Sequence, residues 1–265
     1  LDTTPTDQTG AIADSSDTGV KGDNITSVTQ PTVSGQAAPG ATVEITLKDS
    51  HGNTVGTYST TADNRGYYSV VVGPSSGLPD GQYTQQIKVT NAGGSSTVTG
   101  TAFEIDASAP NAIANIAAIT DNVGLTQGTV VNGGTTDDPS LVVTGALSAA
   151  LVVGETICIY DGSTYLGLAT AGANNAWSYT DTRTLANGVQ VRYTAKVVDA
   201  AGNPSAASTA YIANVDTSVA TVTITSVAAD AVVAMGSGTY DAVERGSSPS
   251  PSTVPEISGT STFAV

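Results

Sequence analysis

The stretch "DSSDTGVKGDNIT" (residues 14–26) sets Asp14, Asp17 and Asp23 beside the amide Asn24, with two glycines and a single lysine. Carboxylates this close repel one another unless water separates them or a cation neutralises them. Their oxygens suit a hard divalent ion. Ca²⁺ takes roughly 6–8 oxygen ligands at ~2.3–2.6 Å from carboxylates, amide oxygens and backbone carbonyls. Aspartate holds its charge near the backbone, and glycine lets a loop turn its carbonyls inward. The D-x-D-x-D-G order and closing glutamate of an EF-hand loop are absent. Zinc would want cysteine and histidine, and the chain has one of each. Magnesium prefers to keep its water.

A second acidic, glycine-rich stretch, "TDNVGLTQGTVVNGGTTDDPS" (120–140), carries Asp121, Asn122, Asp137 and Asp138. A third position, Asp230, follows "TSVA" as Asp121 follows "NIAAIT". Acidic loops are ordinarily solvated turns, and Asp and Asn are common turn formers. Recurrence in corresponding places favours a cation.

The elements around these loops read as strands. In "ATVEITLKD" Val43, Ile45 and Leu47 share one face and Glu44, Thr46 and Lys48 the other. "GQYTQQIKV" and "VQVRYTAKVV" alternate in the same way, and no stretch has sustained helical periodicity. Turn signals ("SHGN", "DNRG", "LPDG", "NAGG", then "YDGS", "GANN", "LANG", "DAAGN") fall every 8 to 12 residues or so, the rhythm of a β-sandwich.

The pattern also repeats. "LDTTP", "IDASAP" and "VDTSVA" place Asp2, Asp106 and Asp216 at spacings of 104 and 110 residues. "VGTYSTTADNRGYYSV" matches "LGLATAGANNAWSYT", and "LPDGQYTQQIKVTNAGG" matches "LANGVQVRYTAKVVDAAGN". The expected organisation is two sandwich domains, 1–106 and 107–216, and the start of a third, truncated or variant, at 217–265. Short connectors set them end to end, a stalk-like array. On this reading Asp199, in the turn before the last strand, meets the linker Asp216 and Asp230 at one joint. Asn91, Asp106 and Asp121 meet at the joint before it, and Asp2 with Asp14 form half of a joint at the start.

Composition narrows the partners. Eight basic residues against 23 acidic ones give a net charge of -15. That excludes nucleic-acid binding by phosphate neutralisation and disfavours anionic membrane surfaces. Hydrophobic content of 39% with only 12% charged residues argues against disorder. No apolar run is long enough to span a membrane. Cys158 is the sole cysteine, so no disulfide forms within the chain. No secretory leader opens the sequence, and the ending "STFAV" reads as that of a fragment.

No enzyme is expected. Asp49, Ser50 and His51 are neighbours in a turn, and Cys158 has no histidine in its own domain. Cys158 falls in the phase opposite to Ile157 and Ile159, facing solvent or a covering loop. Trp177, aligned with Tyr67, is either a stacking platform for a sugar or, preferably, a core aromatic.

The motifs "ITDNVGLTQGTVVNGGTTDDPSLVVTG", "DAAGN" and "VDTS" resemble the bacterial Ig-like repeats of giant adhesins exported by type I secretion. "DSSDTGVKGDNITSVTQPTVSGQAAPGATV" resembles a common variant of the same repeat. The resemblance implies tandem Ig-like sandwiches, calcium at the joints, and a secreted or cell-surface place in adhesion, virulence or biofilm formation. The ligands it implies are Asp14, Asp17, Asp23, Asp121, Asn122, Asp137, Asp138 and Asp199 with the linker aspartates. Asn91 stands where "DAAGN" has Asp199, and "SPSPSTVPEIS" departs from "TTDDPS". Expected partners are the neighbouring repeats and a host glycan or receptor, with the chain monomeric. The alternatives are a glycan- or receptor-binding module, or an accessory domain of a secreted carbohydrate-active enzyme.

Overall fold

The computed structural model describes residues 4–6, 8–125, 127–218, 221–227 and 257–262. Asp2 and Asp230, and with them the joints they were assigned to, lie outside the described residues. The fold is all-β and immunoglobulin-like.

The first repeat contains β1 (Ala11–Ile12), β2 (Ile25–Thr26), β3 (Thr32–Gln36), β4 (Thr42–Lys48), β5 (Thr54–Thr61), β6 (Tyr67–Val71), β7 (Gly81–Asn91), β8 (Gly94–Thr99) and β9 (Phe103–Ile105). One sheet runs β1-β3-β6 and the facing sheet β2-β9-β7-β4-β5, with β8 paired to β7. The second repeat contains β10 (Ala114–Asp121), β11 (Gly128–Val130), β12 (Gly134–Thr136), β13 (Val142–Leu147), β14 (Thr156–Asp161), β15 (Thr164–Leu168), β16 (Thr170–Ala171), β17 (Ala176–Thr180), β18 (Gln190–Val198) and β19 (Tyr211–Val215). Its sheets run β11-β10-β13-β17-β16 and β12-β19-β18-β14-β15. Beyond it, β20 (Thr221–Val227) pairs antiparallel with β21 (Ile257–Thr262).

Each repeat has its own core. Val43, Ile45 and Leu47 are fully buried, as alternation predicts, and pack with Ile87, Val89 and Ile105. Ile157, Ile159, Trp177 and Tyr193 play the same part in the second core. The Tyr83 hydroxyl donates to the Pro79 carbonyl at 2.8 Å, tying the start of β7 to its preceding turn.

Register corrects one alignment. Gly35 faces Tyr68, and Gly145 faces Trp177. Trp177 therefore corresponds to Tyr68, not Tyr67, and it lies in the core. Cys158 is also buried, although it points away from the core. Its cross-strand neighbour Lys196 lies 5.4 Å above the Tyr160 ring, and Tyr160 packs edge-on against Tyr165. Large side chains on that outer face cover the thiol, and burial pushes its pKa up.

The short parallel pairs fix where the loops sit. β2 pairs parallel with β9, and β12 with β19. The residue after each last strand continues this pairing: the Asp106 amide donates to Thr26 O and the Asp216 amide to Thr136 O, both at 2.8–2.9 Å. The acidic loops 14–24 and 121–138 thus lie beside the linker aspartates at the distal end of their own repeat.

Candidate functional site

The joint between the two repeats is built from the distal loop of the first and the turn between β18 and β19 of the second. Thr18 Oγ1 donates to the Ala201 carbonyl at 2.6 Å. The Val20 amide donates to the Ala200 carbonyl at 2.9 Å. Asn203 Nδ2 donates to the linker carbonyl of Asp106 at 2.8 Å. Gly19 has φ +61°, and a methyl group there would lie 2.0 Å from the Ala200 oxygen.

This arrangement reverses part of the expected joints. The turn carrying Asp199 lies at the proximal end of its repeat, against Asp106, and does not join Asp216. The reason is strand parity. The last hairpin starts beside the exit linker, as the Gly81–Ile105 pair shows, and runs away from it. The turn at its far end is a strand length away, roughly 30 Å for an eleven-residue strand. Asn91 is likewise proximal: Thr4 Oγ1 donates to Gly93 O in the same turn. It does not meet Asp106 and Asp121, which belong to the distal ends of different repeats.

The Asp106 carboxyl is pushed above the usual carboxylate range, first by burial and then by the charges of Asp199, Asp80 and Glu104, despite a bond from the Ser108 amide. Acidic groups therefore crowd this joint. Asp80 was not flagged from the sequence. It accepts from the Ala107 amide at 2.9 Å and the Ser108 hydroxyl at 2.5 Å, and Asn187 holds the Thr217 amide in the same way. The recurrence of "LPDG" and "LANG" carried that signal.

In loop 14–24, Asp17 is 5% exposed. One carboxylate oxygen accepts from the Gly22 amide at 2.6 Å and the other has no partner. Asp14 and Asp23 are exposed. Asp23 accepts from the Ile25 amide and lines a shallow cleft with Gln82 and Glu104. Asn24 has φ +62°, and its carbonyl accepts from the Glu104 amide, extending the β2–β9 pairing.

The second repeat gathers its acids more tightly. Asp121 is 7% exposed and Asp138 1%. Asp121 accepts from the Val123 amide at 3.1 Å and the Thr136 hydroxyl at 2.8 Å. Asp138 accepts from the Asn122 amide at 3.1 Å and the Ser140 amide at 2.7 Å. Asp137 is exposed and presses on Gly124. Asp216 lies beside Thr136, its carboxyl held low by the Ser218 hydroxyl and amide. Among the described residues the ion pairs are those of Arg183 with Asp161 and Asp181, so neither Asp121 nor Asp138 has a cationic side chain. Nor do three acidic, histidine or cysteine side chains converge tightly enough among the described residues to enclose a metal.

The Asp199 carboxylate binds both the amide and the side chain of Asn203, at 2.8 and 3.0 Å. Asp49 holds Asn53 identically in "DSHGN", away from any linker. The D-x-x-G-N pattern is thus a turn former in its own right.

The chain is similar to several solved structures. One is a tetra-tandem repeat from the extending region of a large adhesion protein, at 21% identity over 84% of this chain, TM-score 0.30. The chain spans about half of it, 53%. A bacterial ice-binding adhesin of 1.5 MDa matches at 22% over 83% of this chain and 69% of its own, TM-score 0.36. The BSP domain of a biofilm-associated protein matches at 23% over 72% of this chain and 28% of its own, TM-score 0.23. Among curated proteins none matches. No helix among the described residues is long and apolar enough to cross a membrane. Residues 3–107 match the family model of the bacterial Ig-like domain, along one complete sandwich.

Proposed function

We propose that this chain is a stalk segment of a secreted bacterial surface adhesin whose repeats are stiffened by calcium. The observation that carries the reading is the pair of buried carboxylates, Asp121 and Asp138, which meet no cationic side chain among the described residues. Burying charge without a counter-ion is costly, and each of these oxygens keeps a lone pair for a further partner. Asp121, Asn122, Asp137, Asp138 and Asp216 would supply the oxygens at the second distal end. The first distal end carries Asp14, Asp17, Asp23 and Asp106, with Asp199 nearby in the next repeat, but also a cation of its own, Lys21. Bound calcium would cancel the mutual repulsion and bring exposed Asp137 in. At millimolar calcium and a dissociation constant of about 10⁻⁴–10⁻³ M, each site adds roughly 1 kcal/mol.

Titration calorimetry on the whole chain tests this. Calcium uptake is expected, and Asp138→Asn should remove at least one site while the far-UV spectrum stays that of the parent. An absence of binding heat, together with unchanged melting in calcium and chelator, would sink the reading.

A second reading is recognition of a host glycan by the first repeat. Exposed Tyr67 borders a polar cleft of about 700 Å³ shared with Ser34, Gln36, Thr60, Asp63 and Ser69. Ala176 begins the corresponding strand of the second repeat, so the fold does not require an aromatic there. Binding on a glycan array that disappears in Tyr67→Ala would support it, and an array without signal would remove it.

A further inference from the structure

The two distal loops have the same architecture and different chemistry. Thr18-Gly19-Val20 and Val123-Gly124-Leu125 correspond, and their glycines share a left-handed backbone, φ +61° and +69°. In the first loop Lys21 Nζ donates to the carbonyls of Asp14, at 3.1 Å, and Asp17. An ammonium with three donors and no acceptor is a compact positive charge. Here it draws together backbone oxygens of the segment that holds the buried Asp17. The same segment carries the latch described above, with the Thr18 hydroxyl and Val20 amide bonded to the following repeat and no room at Gly19 for a side chain.

The second loop has neither device. Residues 120–140 contain no lysine or arginine. Val123 replaces the threonine hydroxyl, Leu125 is fully exposed, and the Asp137 carboxylate lies against Gly124. Among the described residues no cationic side chain pairs with this loop's two buried carboxylates, Asp121 and Asp138.

We propose that the joint between the first two repeats is closed by the chain itself, with the Lys21 ammonium standing in for a metal ion, so that calcium controls only the joint after the second repeat. The calcium half rests on the reading above. The lock stands on the hydrogen bonds and the lysine.

Spin labels at Ser59→Cys and Thr164→Cys, in a Cys158→Ser background of the whole chain, report the first joint by electron–electron distance measurement. A single narrow distribution is expected in calcium and in chelator alike. Lys21→Met should keep the narrow peak in calcium and lose it in chelator, because a metal then takes over the freed oxygens. Gly19→Val should lose it in both, with near-UV dichroism confirming folded repeats. Broadening of the parent chain in chelator overturns the lock, as does a Lys21→Met chain that stays narrow without calcium or a Gly19→Val chain that stays narrow. Calorimetry separates the two failures. A chain that takes up no calcium sinks the reading and the proposal together, whereas uptake with a parent joint that loosens in chelator sinks the lock alone.

Discussion

Asp181 is fully buried, with Arg183 Nε at 3.0 Å and Nη2 at 2.6 Å and the Tyr193 hydroxyl at 2.5 Å. Arg183 also reaches Asp161 at 3.0 Å. Burial alone would push the Asp181 carboxyl up, but the bonds from Arg183 and Tyr193 prevail and hold it below its ordinary value. Its stabilising contribution is therefore complete above the ordinary pKa of about 3.9 and is lost as pH falls through the lower folded value. Asp181→Asn should cost about 1–3 kcal/mol near neutral pH, since Arg183 keeps access to water. Urea melts of parent and variant should converge as the solution is acidified below about pH 4. A gap that persists in acid would contradict this account. In the first repeat the matching places hold Val72 and Gln85, and Gln85 Nε2 donates to Thr101 O at 2.6 Å. Nothing in "DTRT" or "VRYT" announces such a network. Its members are brought together by strand pairing, which single-residue chemistry does not encode. The acids of the loops were legible because they cluster in sequence. The lysine among them was visible too, but its role depends on which carbonyls the loop turns toward it.

Long strands were legible from alternation, because one face must leave water while the other stays in it. β4 and β7 obey this throughout. β1, β2 and β12 have two or three residues each and owe their existence to partners far along the chain. Nor did the sequence reveal why a glycine stands in both β3 and β13. A methyl group at Gly35 would lie 2.0 Å from Thr9 O and 2.8 Å from the Tyr68 hydroxyl. At Gly145 it would lie 2.1 Å from Asn115 O and 2.3 Å from the Trp177 ring. Each glycine lets a neighbouring backbone and an aromatic close over the sheet. Gly145→Ala should therefore destabilise the second repeat by about 1–3 kcal/mol. Urea denaturation followed by Trp177 fluorescence reads that repeat, and an unshifted midpoint would show that the site has slack.

At the scale of the molecule the recurrence of aspartates at even spacing and of turn signals in the same order was legible. The partnership at the joints was not, because it depends on which end of a strand each turn occupies, and parity along a hairpin reverses that end. On the proposed reading, chelation should leave the far-UV spectrum unchanged and shorten the maximum dimension in small-angle scattering, as the chain bends after the second repeat. An identical scattering curve would count against calcium as the stiffener. The parallel pairing of β2 with β9 and of β12 with β19 also bears on how such a chain carries load. Each last strand leads straight into its linker and lies alongside a neighbour running in the same direction. Tension along the chain then pulls that strand lengthwise past its neighbour, so the bonds between them resist in shear and must give way together. On the proposed reading of the chain as a stalk, that small strip of sheet is where each repeat would meet tension.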